Sequence, residues 1–116
     1  MLFRSHIDGQ FFFGSATQLI SKFDELLGTK YLILNYDSED LLDISAIFAL
    51  EDIIIRLKEQ HIKLILVIKN NSIFNQLQEH KIVRQIGETK VFFSEIQAID
   101  YAKKLLKKKI HRSGNS

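Results

Sequence analysis

Two short, nearly continuous apolar runs constrain the fold of this 116-residue chain more than any other feature. They occupy Tyr31–Tyr36 and residues 63–68. A strand with one face in water alternates apolar and polar residues, whereas runs such as these are typical of strands covered on both faces. Strands of that kind belong to parallel sheets, because the helices that connect parallel strands cover the sheet. We therefore predict an α/β fold built on a parallel sheet.

Strand and helix signals alternate along the rest of the chain. Asp8 and Gly9 form a predicted tight turn between two short strands, so these strands are expected to pair as a hairpin. Ser15 and Ser94 are each followed three residues later by glutamine, which is the spacing of a capping box at a helix start. The predicted strands cover residues 2–7, 11–13, 31–36, 63–68 and 90–93. The predicted helices cover residues 15–27, a segment from Asp43 or Ser45 to about Glu59, a short segment from residues 70–72 to Leu77, and residues 94–110.

This alternation predicts a single domain of the α/β class. We expect a mixed, mostly parallel sheet of about five strands, with an antiparallel edge strand from the hairpin and about four helices on right-handed crossovers. No stretch rich in proline, or in glycine and serine, divides the chain. Residues 1–112 are therefore the predicted domain, and residues 113–116 are expected to form a loose C-terminal tail.

The composition and the absence of certain motifs exclude several classes of site. The chain has no cysteine, so it has neither disulfides nor thiolate zinc sites. No unbroken apolar run is longer than that of residues 64–68, which is far shorter than the roughly 20 residues that a membrane span needs. The four histidines are not paired at metal-ligand spacing, and no glycine-rich phosphate loop or nucleophile motif is present. We expect no enzyme activity, no metal site and no cofactor.

Charge is distributed unevenly along the chain. Six of the 16 basic side chains lie between Lys103 and Arg112, whereas residues 1–102 carry ten basic and fourteen acidic ones, a formal charge of −4. Cations in the last turns of a helix interact favourably with its dipole. A polybasic segment can also lie against anionic lipid, where each basic residue contributes about 1 kcal/mol. A nucleic-acid partner is not expected, because no basic stripe with interleaved aromatic residues continues into the body of the chain.

An acidic loop follows the first buried run, at the edge of a parallel sheet where ligands and partners usually bind. Its carboxylates are Asp37, Glu39, Asp40 and Asp43. One alternative is a phosphate-accepting enzyme, which would need an acidic pair after the first strand and a lysine after the last. The chain offers only Asp8 after the first strand and Ser94 after the last. A solvated loop that supplies helix caps is therefore the better interpretation.

The helix after this loop has two apolar sides. At about 100° per residue, one broad side is expected to face the sheet, and it carries Ile47, Leu50, Ile53, Ile54 and Leu57. A second side carries Ile44, Phe48 and Ile55 with charged neighbours. A helix that packs on one sheet face does not need this second side. Either a neighbouring element covers it, or it is a docking patch for a partner, because an exposed apolar patch rimmed by charge usually marks a contact.

A resemblance to the STAS domain runs through several segments of the chain. It is carried by residues 31–36 (YLILNY), 42–46 (LDISA) and 49–51 (ALE). The family includes anti-sigma factor antagonists and the cytoplasmic C-terminal domains of sulfate-permease-type anion transporters. The transporter branch is the more similar one, through residues 7–16 (IDGQFFFGSA) and 91–99 (VFFSEIQAI). The resemblance covers about residues 3–108, nearly the whole chain.

The resemblance implies a non-enzymatic regulatory domain at the cytoplasmic face of the inner membrane, with membrane helices preceding Met1 in the full protein. We expect it to act by docking on the membrane domain of its own transporter, on a second protomer or on a soluble protein. The residues expected at this interface are Asp37, Asp43, Ile44, Ser45, Ala46, Phe48 and Ile55. The alternative is a stand-alone interaction switch like the anti-sigma factor antagonists.

Two further expectations concern the start of the helix that follows the acidic loop. In the anti-sigma factor antagonists a kinase phosphorylates the Ser or Thr immediately after the motif aspartate, but here Ile44 stands in that position and has no hydroxyl. Ser45, one residue on, is expected to cap the helix instead. A nucleotide or anion could bind weakly to the free amides of residues 43–46, although the nearby carboxylates oppose it.

Overall fold

The computed structural model describes residues 2–7, 30–87 and 90–115. Within these residues a four-stranded sheet combines with four helices. The strands are β1 (Leu2–Ile7), β2 (Tyr31–Tyr36), β3 (Lys63–Val67) and β4 (Val91–Phe92). The helices are α1 (Ile44–Glu59), α2 (Asn71–Glu79), α3 (Ile82–Ile86) and α4 (Glu95–Asn115).

The four described strands are all parallel and lie in chain order, β1-β2-β3-β4. In the central register, Ile33 lies opposite Arg4 on one side and Ile65 on the other. The predicted α/β class with a mostly parallel sheet is confirmed. The predicted strand at residues 11–13, which would supply the antiparallel edge, lies outside the described residues, as do the turn at Asp8 and Gly9 and the helix at residues 15–27.

The sheet has an apolar layer on each face, and β2 contributes to both. All six residues of β2 are buried. Leu32 and Leu34 pack with buried residues of α1, α2 and α3. Tyr31 and Ile33 point the other way, because side chains alternate along a strand, and pack with Ala98 of α4 and its neighbours. The nearly continuous apolar sequence of this strand thus reflects burial on both faces, as predicted.

Among the described helices that lie between two strands, α1 is the longest, and it packs on the first of these layers. Its five predicted sheet-facing residues are each at most 2% exposed, namely Ile47, Leu50, Ile53, Ile54 and Leu57. Arg56 and Lys58 in its last turn suit the helix dipole. The helix ends before His61, whose φ of 59° turns the chain toward β3.

The predicted starts of α2 and α4 are observed, but α4 ends later than predicted. Asn70 caps α2, since its side chain accepts a hydrogen bond from the Ile73 amide at 3.0 Å. The Gln97 amide approaches Ser94 Oγ at 3.5 Å at the start of α4. That helix extends to Asn115, past residue 113, where the sequence predicts a loose tail; the domain boundary at residue 112 stays a prediction.

Helix α3 is not predicted by the sequence patterns, because it is short. Five residues make little more than one helical turn, too few to show an apolar period. Ile82, Val83 and Ile86 are nevertheless buried in the α1 layer. Gly87 ends the helix at a φ of 96°, where a side chain would be strained. Of the helices in the described ranges, none combines the length and the apolar character needed to cross a bilayer.

A pair of substitutions on α1 tests the packing directly. Ile53 is fully buried, whereas Ile55 is 53% exposed. We expect Ile53→Ala to lower the free energy of unfolding by about 2–5 kcal/mol, because it removes buried methyl groups and leaves a cavity. Ile55→Ala should change it by less than about 0.5 kcal/mol. Chemical denaturation of both variants measures the difference, and equal losses would contradict this orientation of α1.

Candidate functional site

The second apolar side of α1 faces outward in the structure. Ile44 is 57% exposed, Phe48 61% and Ile55 53%. Glu51 is half-buried and falls between Phe48 and Ile55 on the same side, because residues seven apart on a helix differ by only about 20° in direction. We call these four residues, Ile44, Phe48, Glu51 and Ile55, the outer face of α1. Of the two alternatives that the sequence left open, a covered side and an exposed one, the structure has the exposed one.

The spacing of the outer face is that of a helix that packs along another helix. Its residues are separated by four, three and four positions, which is the repeat of a coiled-coil seam. Beside it, Arg56 donates a hydrogen bond to Asp52 at 3.0 Å, and both side chains are about half exposed. A pair with that exposure contributes little to stability. Glu51 is the one carboxylate within the apolar row of the outer face.

Asp43 fixes the start of α1. Its backbone is extended, with φ −79° and ψ 173°, and its carboxylate accepts a hydrogen bond from the Ala46 amide at 2.8 Å. This is the geometry of an N-cap. Of the two caps that the sequence offered, Asp43 is confirmed, and the expectation for Ser45 is wrong: Ser45 lies inside the first turn and is exposed. Sequence reasoning could not choose between two residues of similar capping propensity two positions apart.

The same hydrogen bond bears on the predicted nucleotide or anion site at residues 43–46. An anion at a helix start needs free amide groups. The Ala46 amide already donates to the Asp43 carboxylate, and Ala46 is buried. An incoming anion would meet a carboxylate at the position it needs. Binding of a nucleotide or anion here stays a prediction, and the observed geometry opposes it.

The loop between β2 and α1 is held in a defined shape by hydrogen bonds from α2 and β2. Gln76 of α2 both accepts from the Leu42 amide at 2.9 Å and donates to the Leu42 carbonyl at 2.6 Å. Asn70 donates to the Glu39 carbonyl at 2.9 Å, and the Tyr36 hydroxyl to the Asp40 carbonyl at 2.7 Å. The acidic loop therefore presents its carboxylates from a fixed backbone. The role of Gln76 was missed in the sequence, because no local pattern links residues 34 positions apart.

Asp37, the first carboxylate of this loop, forms an ion pair. Its side chain lies 3.2 Å from the Lys69 ammonium group, and both are substantially exposed. Asp37 lies in the loop that leads to α1, but its ion pair joins it to the loop after β3 and not to the outer face of α1. Over the described part of the chain, no three His, Asp or Glu side chains are grouped so that they could hold a metal ion.

The start of α4 carries a polar contact that the sequence did not reveal. Asn35, buried in β2, donates to a Glu95 carboxylate oxygen at 2.7 Å. An asparagine in an otherwise apolar strand was the available signal, and its partner lies 60 residues away. Nearby, the rings of Phe74 and Phe93 are 6.1 Å apart. Phe93 and Ile96 are 49% and 73% exposed, so this end of the sheet also has apolar surface.

Comparison with known proteins places these features in a family. A family model described as the STAS domain matches residues 5–99. The STAS domain of a SulP transporter from Vibrio cholerae is similar in structure, with a TM-score of 0.78 and 25% identity over 91% of this chain and 84% of that one. A sulfate transporter family protein from Wolinella succinogenes gives a TM-score of 0.81 and 26% identity over 91% of this chain and 88% of that one. No curated protein matches the chain.

The cap at Asp43 can be tested by three substitutions. Asp43→Ala should lower the free energy of unfolding by about 1 kcal/mol, because it leaves the Ala46 amide without its partner. Asp43→Asn should have a much smaller effect, since asparagine caps helices about as well as aspartate. Ser45→Ala should be close to neutral. Thermal or chemical unfolding measures all three, and a larger loss for Ser45→Ala than for Asp43→Ala would show that the wrong residue has been assigned.

Proposed function

Because this chain belongs to the STAS domain family, we propose that it is the cytoplasmic regulatory domain of a sulfate-permease-type anion transporter, and that it acts by docking rather than by catalysis. Two solved structures with which it shares its fold over 91% of its length come from that class of transporter. The observation that supports docking most directly is the exposure of the outer face of α1, where three large apolar side chains are each more than half exposed.

The outer face has more apolar surface than α1 needs for its own packing. The helix already buries six residues against the sheet side. Covering a large apolar side chain completely contributes roughly 1.5–3 kcal/mol, so covering the exposed half of each of three contributes about 1 kcal/mol apiece. Contiguous apolar surface with a charged rim is typical of interaction sites. The acidic loop beside it gives the surface a negative border.

The spacing and charge of the outer face indicate what kind of partner would fit it. The four-three-four spacing favours a helix, which would lie along α1 and place apolar residues beside Phe48 and Ile55. Glu51 within the row favours a lysine or arginine on the facing helix. A second copy of this chain docked face to face about a two-fold axis would bring Glu51 close to its own counterpart, and like charges at such a position are costly. We therefore favour a basic amphipathic helix of the transporter's membrane domain over a second protomer.

Regulation would follow from a difference in affinity. A docked domain shifts a transporter between conformations only if it binds one conformation more tightly than the other. The fixed backbone of the acidic loop and the Asp43 cap keep the start of α1 in one geometry, so a change in the facing helix would alter the fit directly.

The gene that encodes this chain provides the first test. We expect its reading frame to encode membrane spans of about 20 apolar residues each upstream of the codon for Met1. A reading frame that begins at Met1 would contradict the proposal and would favour the stand-alone switch. That alternative has no support from Ile44, which cannot be phosphorylated where the antagonists carry a hydroxyl.

Phe48→Asp probes the docking surface. Phe48 is exposed, so the variant should fold with a free energy of unfolding within about 0.5 kcal/mol of the parent. A carboxylate in the apolar row should weaken contact with the facing helix and change the transport rate of the full-length protein in vesicles. Ile96→Asp is the matched control, because Ile96 is 73% exposed but lies on α4, and it should leave transport unchanged.

Two results would contradict this assignment. Unfolding of the 116-residue chain by Phe48→Asp would show that Phe48 belongs to the core. Equal effects of Phe48→Asp and Ile96→Asp on transport would show that the outer face of α1 has no particular role. Glu51→Lys adds a test of charge: it should impair regulation as Phe48→Asp does, and it should be rescued by an acidic residue on the facing helix.

A further inference from the structure

A small cavity lies at the opposite edge of the sheet from the acidic loop. It is formed where α1 ends and β3 begins, beside the end of α3 and the start of β4, and its volume is about 80 Å³. Three lysines from three different elements line it: Lys58, Lys63 and Lys90. Gln85 adds a polar side chain. The rest of the lining is apolar, namely Ile54, Leu57, Ile62, Leu64 and Ile86.

The charged side chains that line this cavity are all positive. Burial lowers the pKa of Lys90, and the positive charges of Lys63 and then Lys58 lower it further. The ion pairs found among residues 30–87 and 90–107 are Arg56 with Asp52 and Lys69 with Asp37, and neither involves these lysines. Three like charges around one cavity are unfavourable unless a negative group offsets them. The arrangement thus has the composition of an anion site.

We propose that this cavity binds one tetrahedral oxyanion of the phosphate or sulfate class, held by the ammonium groups of Lys58, Lys63 and Lys90. The cavity is large enough for such an anion, because a cavity needs only about 10–15 Å³ of this volume to hold one water molecule. By that measure the cavity of about 80 Å³ has room for about five to eight water-sized atoms, enough for the five heavy atoms of phosphate or sulfate. The apolar floor strengthens the attraction, since charges interact more strongly where water is excluded.

The site is separate from the docking surface. Lys63 starts β3, and Lys90 immediately precedes β4, so both lie at the amino-terminal edge of the parallel sheet. The outer face of α1 begins at Ile44, which follows the carboxyl edge. Lys58 lies about one helical turn beyond Ile55, so the cavity borders the end of the outer face but shares no residue with it. Binding of the oxyanion therefore does not depend on the proposed docking.

The anion could come from two sources, a free ion or the phosphate of a lipid headgroup. The first arm of the test titrates the 116-residue chain with inorganic phosphate and with sulfate at constant ionic strength, with chloride as control, and follows the backbone amide resonances by NMR. We expect saturable shifts at Lys63 and Lys90 with both dianions and none with chloride. The second arm measures binding of the chain to vesicles of phosphatidylglycerol and of phosphatidylcholine, with inorganic phosphate as competitor.

Variants decide whether the three lysines hold the anion. Lys63→Gln and Lys90→Gln should each weaken phosphate binding by about tenfold, the effect of losing one charge-assisted hydrogen bond. Lys81→Gln is the matched control: Lys81 is an exposed lysine that does not line this cavity, and its replacement should leave the affinity unchanged. Because Lys63 is exposed at the start of a strand, Lys63→Gln should fold even if Lys90→Gln does not.

Each result has a definite meaning. Saturable phosphate binding that is lost in Lys63→Gln supports the site with a free ion as ligand. Binding to phosphatidylglycerol that phosphate competes away and Lys63→Gln weakens supports it with a lipid headgroup as ligand. The proposal is overturned if phosphate, sulfate and chloride give the same shifts, or if Lys81→Gln weakens binding as much as Lys63→Gln does.

Discussion

Burial of β2 on both faces is the constraint on which the rest of the structure depends. A strand without a polar face requires a covering layer on each side, and its residues alternate between the two layers. Helix α1 is part of one layer, and α4 is part of the other. Since β2 pairs with β1 and β3 along its edges, its carboxyl end is where the acidic loop must leave the sheet. The position and direction of α1 follow from that exit.

Helix α1 contributes both to the core and to the exposed surface. Its inner residues complete the core, and its outer residues form an apolar row with one carboxylate. The cap at Asp43 and the hydrogen bonds of Gln76 hold the start of the helix in place, so stability of the core and shape of the outer face come from the same element. A partner that docks on this face would therefore meet a rigid surface rather than one that forms on binding.

Sequence patterns predicted what local periodicity encodes. The continuous runs predicted β2 and β3, and the 3.6-residue period separated Ile53 from Ile55, one buried and one exposed. Motifs in the right order identified the family that the comparisons confirm. The exposed state of Ile44, Phe48 and Ile55 could not be predicted, because a pattern shows that a side is apolar but not whether another element covers it.

Features that join distant parts of the chain were beyond sequence reasoning for a different reason. The contacts of Gln76 with Leu42 and of Asn35 with Glu95 depend on the packed fold. Lys58, Lys63 and Lys90 approach one cavity only because α1, β3 and β4 bring their ends together. Helix α3 was missed because its five residues are too few for a period. The choice of Asp43 over Ser45 as the cap required the backbone geometry.

Site-specific photo-cross-linking in the membrane tests the central claim, that the outer face of α1 contacts a helix of the protein's own membrane domain. A photo-reactive amino acid would replace Phe48 in one form of the full-length protein and Ile96 in another. We expect position 48 to cross-link to the membrane domain of the same protein, and position 96 not to do so. A cross-link at position 96 with none at position 48 would contradict it.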